Sequence, residues 1–103
     1  MRFAEEGDVN FCFRAGYCYS NGKGVAKDLD KAIYWYTKAA EKRDKYAQHV
    51  LGEIYFHEKK DYSKAKYWWE KSAAQGHSIA KSDLELYFSP KAVARRQAKE
   101  KKK

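Results

Sequence analysis

One proline and six glycines among 103 residues are too few for a collagen-like chain or a proline-rich linker. No run of about 18 apolar residues occurs, so no membrane-spanning helix and no membrane partner are expected. The opening Met1-Arg2-Phe3-Ala4-Glu5-Glu6-Gly7 lacks the apolar stretch of a secretory signal, which makes the cytoplasm the expected compartment. Cysteine is scarce as well. Cys12 and Cys18, if on one helix, stand about 9 Å apart along its axis and roughly 240° apart around it. That is too far for a disulfide. No Cys-x-x-Cys pair and no Cys-His pairing at zinc spacing is present. Aromatic residues, by contrast, are plentiful: three Trp, nine Tyr and five Phe, 17% of the chain. Such a composition builds a packed core, and the length allows one domain or a short array of repeats.

The net charge of +8 raises the question of a nucleic-acid partner. Its distribution answers against the body of the protein. Residues 91–103 hold seven of the 22 basic side chains and one of the 14 acidic ones, which leaves residues 1–90 at only +2. The basic side chains of this segment are Lys91, Arg95, Arg96, Lys99, Lys101, Lys102 and Lys103. They suit phosphates, an acidic protein surface, or plain solubilisation of a chain end. No aromatic residue is interleaved with them, so stacking on single-stranded nucleic acid has no support, and a nucleic-acid partner is the lesser expectation.

The chain repeats itself. Shifted by 33 residues, Asp28 meets Asp61, Lys31 meets Lys64, Ala32 meets Ala65, Trp35 meets Trp68 and Tyr36 meets Trp69. Ala40 then meets Ala73, Ala47 meets Ala80 and Leu51 meets Leu84. The earlier segment needs a shift of 36: Asp8 meets Asp44, Gly16 meets Gly52 and Tyr19 meets Tyr55. The difference sits in one turn, Asn21 to Lys27 in the first unit and about His57 to Lys60 in the second. Periods of this length mark helix-pair solenoids. Helices are expected from Asp8 to about Ser20, Asp28 to Lys42, Asp44 to Glu58, Asp61 to Gln75 and His77 to Phe88, with Pro90 as a boundary. The predicted fold class is all-α: an α/α solenoid of antiparallel helix pairs, about five helices, followed by a basic C-terminal segment. The expected domain division is a repeat domain over residues 1–89 and a basic tail over 90–103. Gly16, Gly52, Ala32, Ala39 and Ala65 fall where paired helices must approach closely.

The stretch Ala15-Gly16-x-x-Tyr19-x-x-Gly22-x-Gly24-Val25-x-x-Asp28-x-x-Lys31-Ala32-x-x-Trp35-Tyr36-x-Lys38-Ala39-Ala40-Glu41 resembles a Sel1-like repeat, a relative of the tetratricopeptide repeats. Leu51-Gly52-x-x-Tyr55 through Lys64-Ala65-x-x-Trp68-Trp69 to Gly76-His77 resembles it too, without the Gly-x-Gly turn. Ala4-Glu5-Glu6-Gly7-Asp8 looks like the end of a preceding unit. The resemblance implies a non-enzymatic scaffold that binds a protein or peptide, in the manner of an adaptor or of the small bacterial members that act as toxin-immunity proteins. It also implies which residues face the concave side: Asn10, Phe13, Tyr17 and Ser20 on the first A helix; Tyr46, His49, Glu53, Phe56 and His57 on the second; Ile79, Ser82 and Leu86 on the third. The open ends of so short an array make self-association a second expectation.

His49, Glu53 and His57 fall at i, i+4, i+8 on one helix stripe. Three ligands spread over two turns of a straight helix suit one ion poorly, so no metal is assigned to them. His77 reads as a helix-start residue. Asn21-Gly22-Lys23-Gly24 lacks the strand and the Gly-Lys-Ser/Thr ending of a phosphate loop. No nucleophile–base constellation stands out, and neither an enzymatic activity nor a cofactor is expected.

Overall fold

Four of the repeat helices begin at an aspartate whose carboxylate caps the first turn. In the computed structural model, which describes residues 8–101 and side chains as far as residue 98, six α-helices follow one another. They are α1 (Val9–Asn21), α2 (Leu29–Glu41), α3 (Lys45–Glu53), α4 (Tyr62–Ala74), α5 (Ser78–Phe88) and α6 (Pro90–Lys101). The remnant expected at residues 4–7 lies outside the described residues. Asp8, Asp28, Asp44 and Asp61 accept from the backbone N–H groups of Phe11, Lys31, Tyr46 and Lys64 at 3.1–3.2 Å. Each such cap contributes about 1 kcal/mol.

Successive helices pack on one another, α1 on α2 through to α5 on α6, and the molecule is elongated at 56 × 31 × 16 Å. All regular structure among the described residues is helical, as the solenoid expectation requires. No helix among them is long and apolar enough to cross a membrane. Cys12 is buried, Cys18 half-buried, and neither is in a disulfide.

The hairpins close on glycine. The ring of Tyr36 lies over Gly16, where an added Cβ would come within 2.8 Å of it. One unit later the indole of Trp69 lies over Gly52, and a Cβ there would come within 2.4 Å. Tyr36 and Trp69 are almost wholly buried. Around Tyr36 pack Cys12, Ala32, Ala39, Ala47 and Leu51; around Trp69 pack Phe56 and Ala65, with Leu84, Tyr87 and Phe88 at their edge. Matched lysine–tyrosine pairs repeat too: Lys31 stands 5.5 Å over the ring of Tyr19, and Lys64 5.3 Å over that of Tyr55.

The two units differ at the A-to-B turn. The Asp28 N–H donates to the Tyr19 carbonyl at 2.9 Å, and the Asp61 N–H to the Tyr55 carbonyl at 2.8 Å. The same closure is thus made with three fewer residues. The second unit achieves it by winding Ile54–Glu58 as a π-helical turn, with the Lys59 N–H on the Ile54 carbonyl at 3.1 Å, and by placing Lys60 at φ +57°. The uninterrupted helix expected from Asp44 to Glu58 is corrected accordingly: its last five residues are π-helical because the loop after them is short.

The B-to-A turns are alike. The Asp44 N–H donates to the Ala39 carbonyl and the His77 N–H to that of Ser72, both at 3.3 Å. Buried polar groups tie the hairpins together. Gln48 donates to the Ala40 carbonyl at 3.0 Å and accepts from Gln75 at 3.0 Å, and the Ser72 hydroxyl donates to the Lys45 carbonyl at 2.8 Å.

The basic segment is the helix α6, entered through Pro90 after an extended Ser89 whose hydroxyl accepts from the Ala92 N–H at 3.2 Å. Arg96, counted among the phosphate-seeking cations, is instead spent on packing. Its guanidinium donates to the Tyr87 carbonyl at 2.7 Å and lies 4.6–5.4 Å from the rings of Phe56, Tyr62 and Phe88. It lids the aromatic cluster around Trp69.

Two substitutions test this architecture. Gly52→Leu overpacks the α3–α4 crossing and is expected to cost roughly 1–3 kcal/mol, seen as a Tm lower by about 4–8 °C per kcal/mol. Arg43 has φ +73° at the turn position that Gly76 fills one unit later at φ +89°. Arg43→Gly relieves that strain against a loss of chain entropy, and a net gain of about 0.5 kcal/mol in thermal unfolding is expected.

Candidate functional site

The A helices α1, α3 and α5 present their outer stripes side by side. Between α1 and α3 lies a groove of about 910 Å³, lined by Asn10, Phe11, Phe13, Arg14 and Tyr46, with the cap residues Asp8 and Asp44 at its rim. Three of the sequence-predicted residues, Asn10, Phe13 and Tyr46, therefore meet. Phe13 is half-buried, its ring edge-on to Tyr36 at 5.3 Å. Tyr46 is 54% exposed and meets His77 edge-on at 5.3 Å. Tyr17, Ile79 and Leu86 are also exposed. Tyr17 stands at the far end of α1, with the Lys23 ammonium 5.9 Å from its ring. Ser20 is half-buried and donates to the Tyr17 carbonyl, while Ser82 is exposed.

Two expected groove residues lie elsewhere. Phe56 is buried at 8% exposure, stacked on Trp69 at 5.4 Å and covered by Tyr87 and Arg96. The π-helical turn rotates it off the A-helix stripe and into the core. Leu86 belongs to a second cavity of about 440 Å³ between α5 and α6, with Tyr87, Ala92, Arg95 and Arg96.

The centre of the face is polar. His49 on α3 is held by Asp83 of α5, Nε2 to Oδ2 at 2.7 Å, and by Glu53 one turn along, Nε2 to Oε2 at 3.3 Å. His57 approaches the other Glu53 oxygen at 3.8 Å. His77 packs its ring edge-on to His49 at 5.0 Å, so all three histidines of the chain gather here. Burial works against a charged His49, yet the hydrogen bonds to Glu53 and Asp83 hold its proton above the ordinary imidazole value. The His49 bond keeps the Glu53 carboxyl below its usual value. Burial, and then the neighbouring Glu53 carboxyl, push that of Asp83 up. His77 is lowered, by burial first and then by His49 and Lys45.

Asp83 and Arg14 are not among the residues the sequence singles out, and His77 is read there only as a helix start. Neighbouring A helices lie one period apart, so a residue beside His49 falls near position 82; that spacing is the signal that could find Asp83.

Comparison with known proteins gives concordant likenesses. A family model described as the Sel1 repeat matches residues 9–44 and 45–77. Among curated proteins, the ERAD-associated E3 ubiquitin-protein ligase component HRD3A of Arabidopsis thaliana is 36% identical over 53 residues, 50% of this chain and 8% of that protein. Among solved structures, c5321, described as a protective antigen of uropathogenic Escherichia coli with an SLR fold, superposes with a TM-score of 0.73 at 33% identity. That likeness covers 81% of this chain and 19% of c5321. A Sel1 repeat protein from Oxalobacter formigenes superposes with a TM-score of 0.69 at 37% identity, over 77% of this chain and 62% of its own. The chain thus spans a small part of the plant protein and of c5321.

The His49–Asp83 contact ties α3 to α5 across the polar face, and a double-mutant cycle measures it. With His49→Ala, Asp83→Ala and the pair, thermal unfolding near neutral pH is expected to give a favourable coupling of roughly 0.5–3 kcal/mol. Strict additivity would show the two side chains to be energetically independent.

Proposed function

The chain belongs to the Sel1 repeat family, whose members are generally protein–protein interaction modules, and from that premise we propose that it binds an extended segment of a protein partner along its concave face. The observation that carries this reading is the open groove at Phe13 and Tyr46, continued by the exposed Tyr17 and Ile79. Neither hairpin uses these exposed side chains to close on itself. Tyrosines with a solvated hydroxyl and an apolar ring are favoured anchors at interfaces. Asn10, Arg14, His49, Glu53 and His57 supply the hydrogen-bonding rim that fixes a peptide backbone. Phe56 has no place in this surface, and Leu86 would meet only a partner long enough to reach the α5–α6 cavity.

An adaptor role is favoured over a toxin-immunity role, because HRD3A is by its description a component of a larger assembly. The proposed setting is the cytoplasm, with no catalysis. Self-association through the solenoid ends, and nucleic-acid binding through α6, are the competing modes. The engagement of Arg96 on three aromatic rings removes one cation from the second of these.

The test uses the full chain immobilised beside its Tyr17→Ser, Tyr46→Ser, Ile79→Ser triple variant. Both are exposed to source-cell lysate with and without nuclease, and the retained proteins are titrated back individually. A partner that survives nuclease and binds the variant at least about tenfold more weakly, or about 1.4 kcal/mol, supports the groove. Equal binding by the variant, or loss of capture on nuclease treatment, overturns it. Phe13→Ala is left out because its contact with Tyr36 would mix binding with stability.

A further inference from the structure

Two carboxylate oxygens converge on one imidazole nitrogen. His49 Nε2 lies 2.7 Å from Asp83 Oδ2 and 3.3 Å from Glu53 Oε2, and the three donor atoms all lie within 4.8 Å of one another. Nε2 carries at most one proton and so donates fully to only one of the two oxygens. The other carboxylate has no second proton to accept from that nitrogen. The cluster is partly buried, with His49 and Asp83 side chains each 15% exposed and Glu53 37% exposed. Two carboxylates and a neutral imidazole carry a charge of about −2, which one divalent cation in place of the single proton would balance.

We infer that His49, Glu53 and Asp83 form a three-ligand site for a zinc ion on the concave face, with water in the fourth position. Zinc takes imidazole nitrogen and carboxylate oxygen at about 2.0–2.2 Å in tetrahedral array, so neighbouring donor atoms stand about 3.3 Å apart. The His49–Glu53 separation already has this value, and the Asp83 contact needs to open only slightly once its hydrogen bond is replaced. Calcium and magnesium prefer shells built of oxygen alone and fit this mixed set less well. The open side at Glu53 admits the ion and leaves room for water.

The surroundings suit a ligand set. The His77 ring restrains His49 from the side, and α3 and α5 hold His49 and Asp83 on separate rigid helices. His57, 3.8 Å from the outer Glu53 oxygen, stands behind that ligand as a positioning residue. The single-helix stripe of His49, Glu53 and His57 could not supply this geometry. The third ligand comes from the neighbouring repeat.

The inference does not depend on the groove reading, and its probe is zinc alone. Full chain stripped with a chelator is titrated with zinc chloride by calorimetry and by competition with a chromophoric chelator. One ion per chain is expected. Loss of a residue that positions a ligand costs about 10–100-fold in affinity, so His57→Ala, at 3.8 Å from Glu53, should cost about tenfold, and removing a ligand by Asp83→Asn at least about a hundredfold. Cys18→Ser should change nothing. Should a variant unfold, the wild-type histidine-ring NMR spectrum decides by itself: zinc should move the His49 Nε2 resonance to a metal-bound position and leave His57 and His77 unligated. Absence of saturable binding overturns the site. So does undiminished binding by a folded Asp83→Asn, abolition by Cys18→Ser, or ligation at His57 in place of His49.

Discussion

An aromatic ring pressed onto a glycine sets the distance between the helices of each hairpin, and the rest of the solenoid follows from that distance. Tyr36 on Gly16 and Trp69 on Gly52 are the same contact made twice, with ring atoms closer than any side chain at the glycine would allow. Helices that approach this closely leave room beside the ring only for small residues, and Ala32, Ala39, Ala47 and Ala65 fill it. The Trp69 ring also donates from Nε1 to the His49 carbonyl at 3.1 Å. The crossing that stabilises the α3–α4 hairpin is therefore joined to the backbone that carries the central polar residue of the A-helix face.

The repeat made this architecture legible before any coordinates. Four capping aspartates, both close-packed glycines and both buried rings stand at positions the self-comparison paired. What a linear comparison could not give was the mechanical result of a shorter turn. Three missing residues do not shift the helices; the closure from Asp61 to Tyr55 is kept and the end of the A helix is rewound instead. Rewinding by one extra residue per turn rotates everything after Glu53, which is why Phe56 enters the core although the resemblance to the repeat put it on the surface.

Charge counting was informative about the body and less so about the C-terminus. The basic excess of residues 91–103 is real, yet a count treats every cation as free. Arg96 lies among Phe56, Tyr62 and Phe88 and meets the Tyr87 carbonyl, a combination open to a planar guanidinium. The same residue makes α6 a cover for the aromatic cluster around Trp69. Pattern alone does not show this, because the rings come from three different elements.

The face of the A helices shows the same division between what lies along a helix and what lies across helices. Tyr17, Tyr46, Ile79 and Leu86 are exposed as the resemblance to the repeat implies, since exposure of a stripe is a property of one helix and its nearest partner. The polar cluster is a property of two neighbouring A helices. Glu53 was on the expected stripe with His49, but Asp83 and His77 come from beyond α4, one period further along the chain. In a solenoid the side-by-side neighbour of a surface residue lies about one repeat away, so chemistry on such a surface is assembled laterally, from residues the repeat itself does not require. A repeat scaffold is fixed by its buried rings and small residues; the side chains left over between neighbouring A helices are free to differ, and there this chain places its three histidines and two carboxylates.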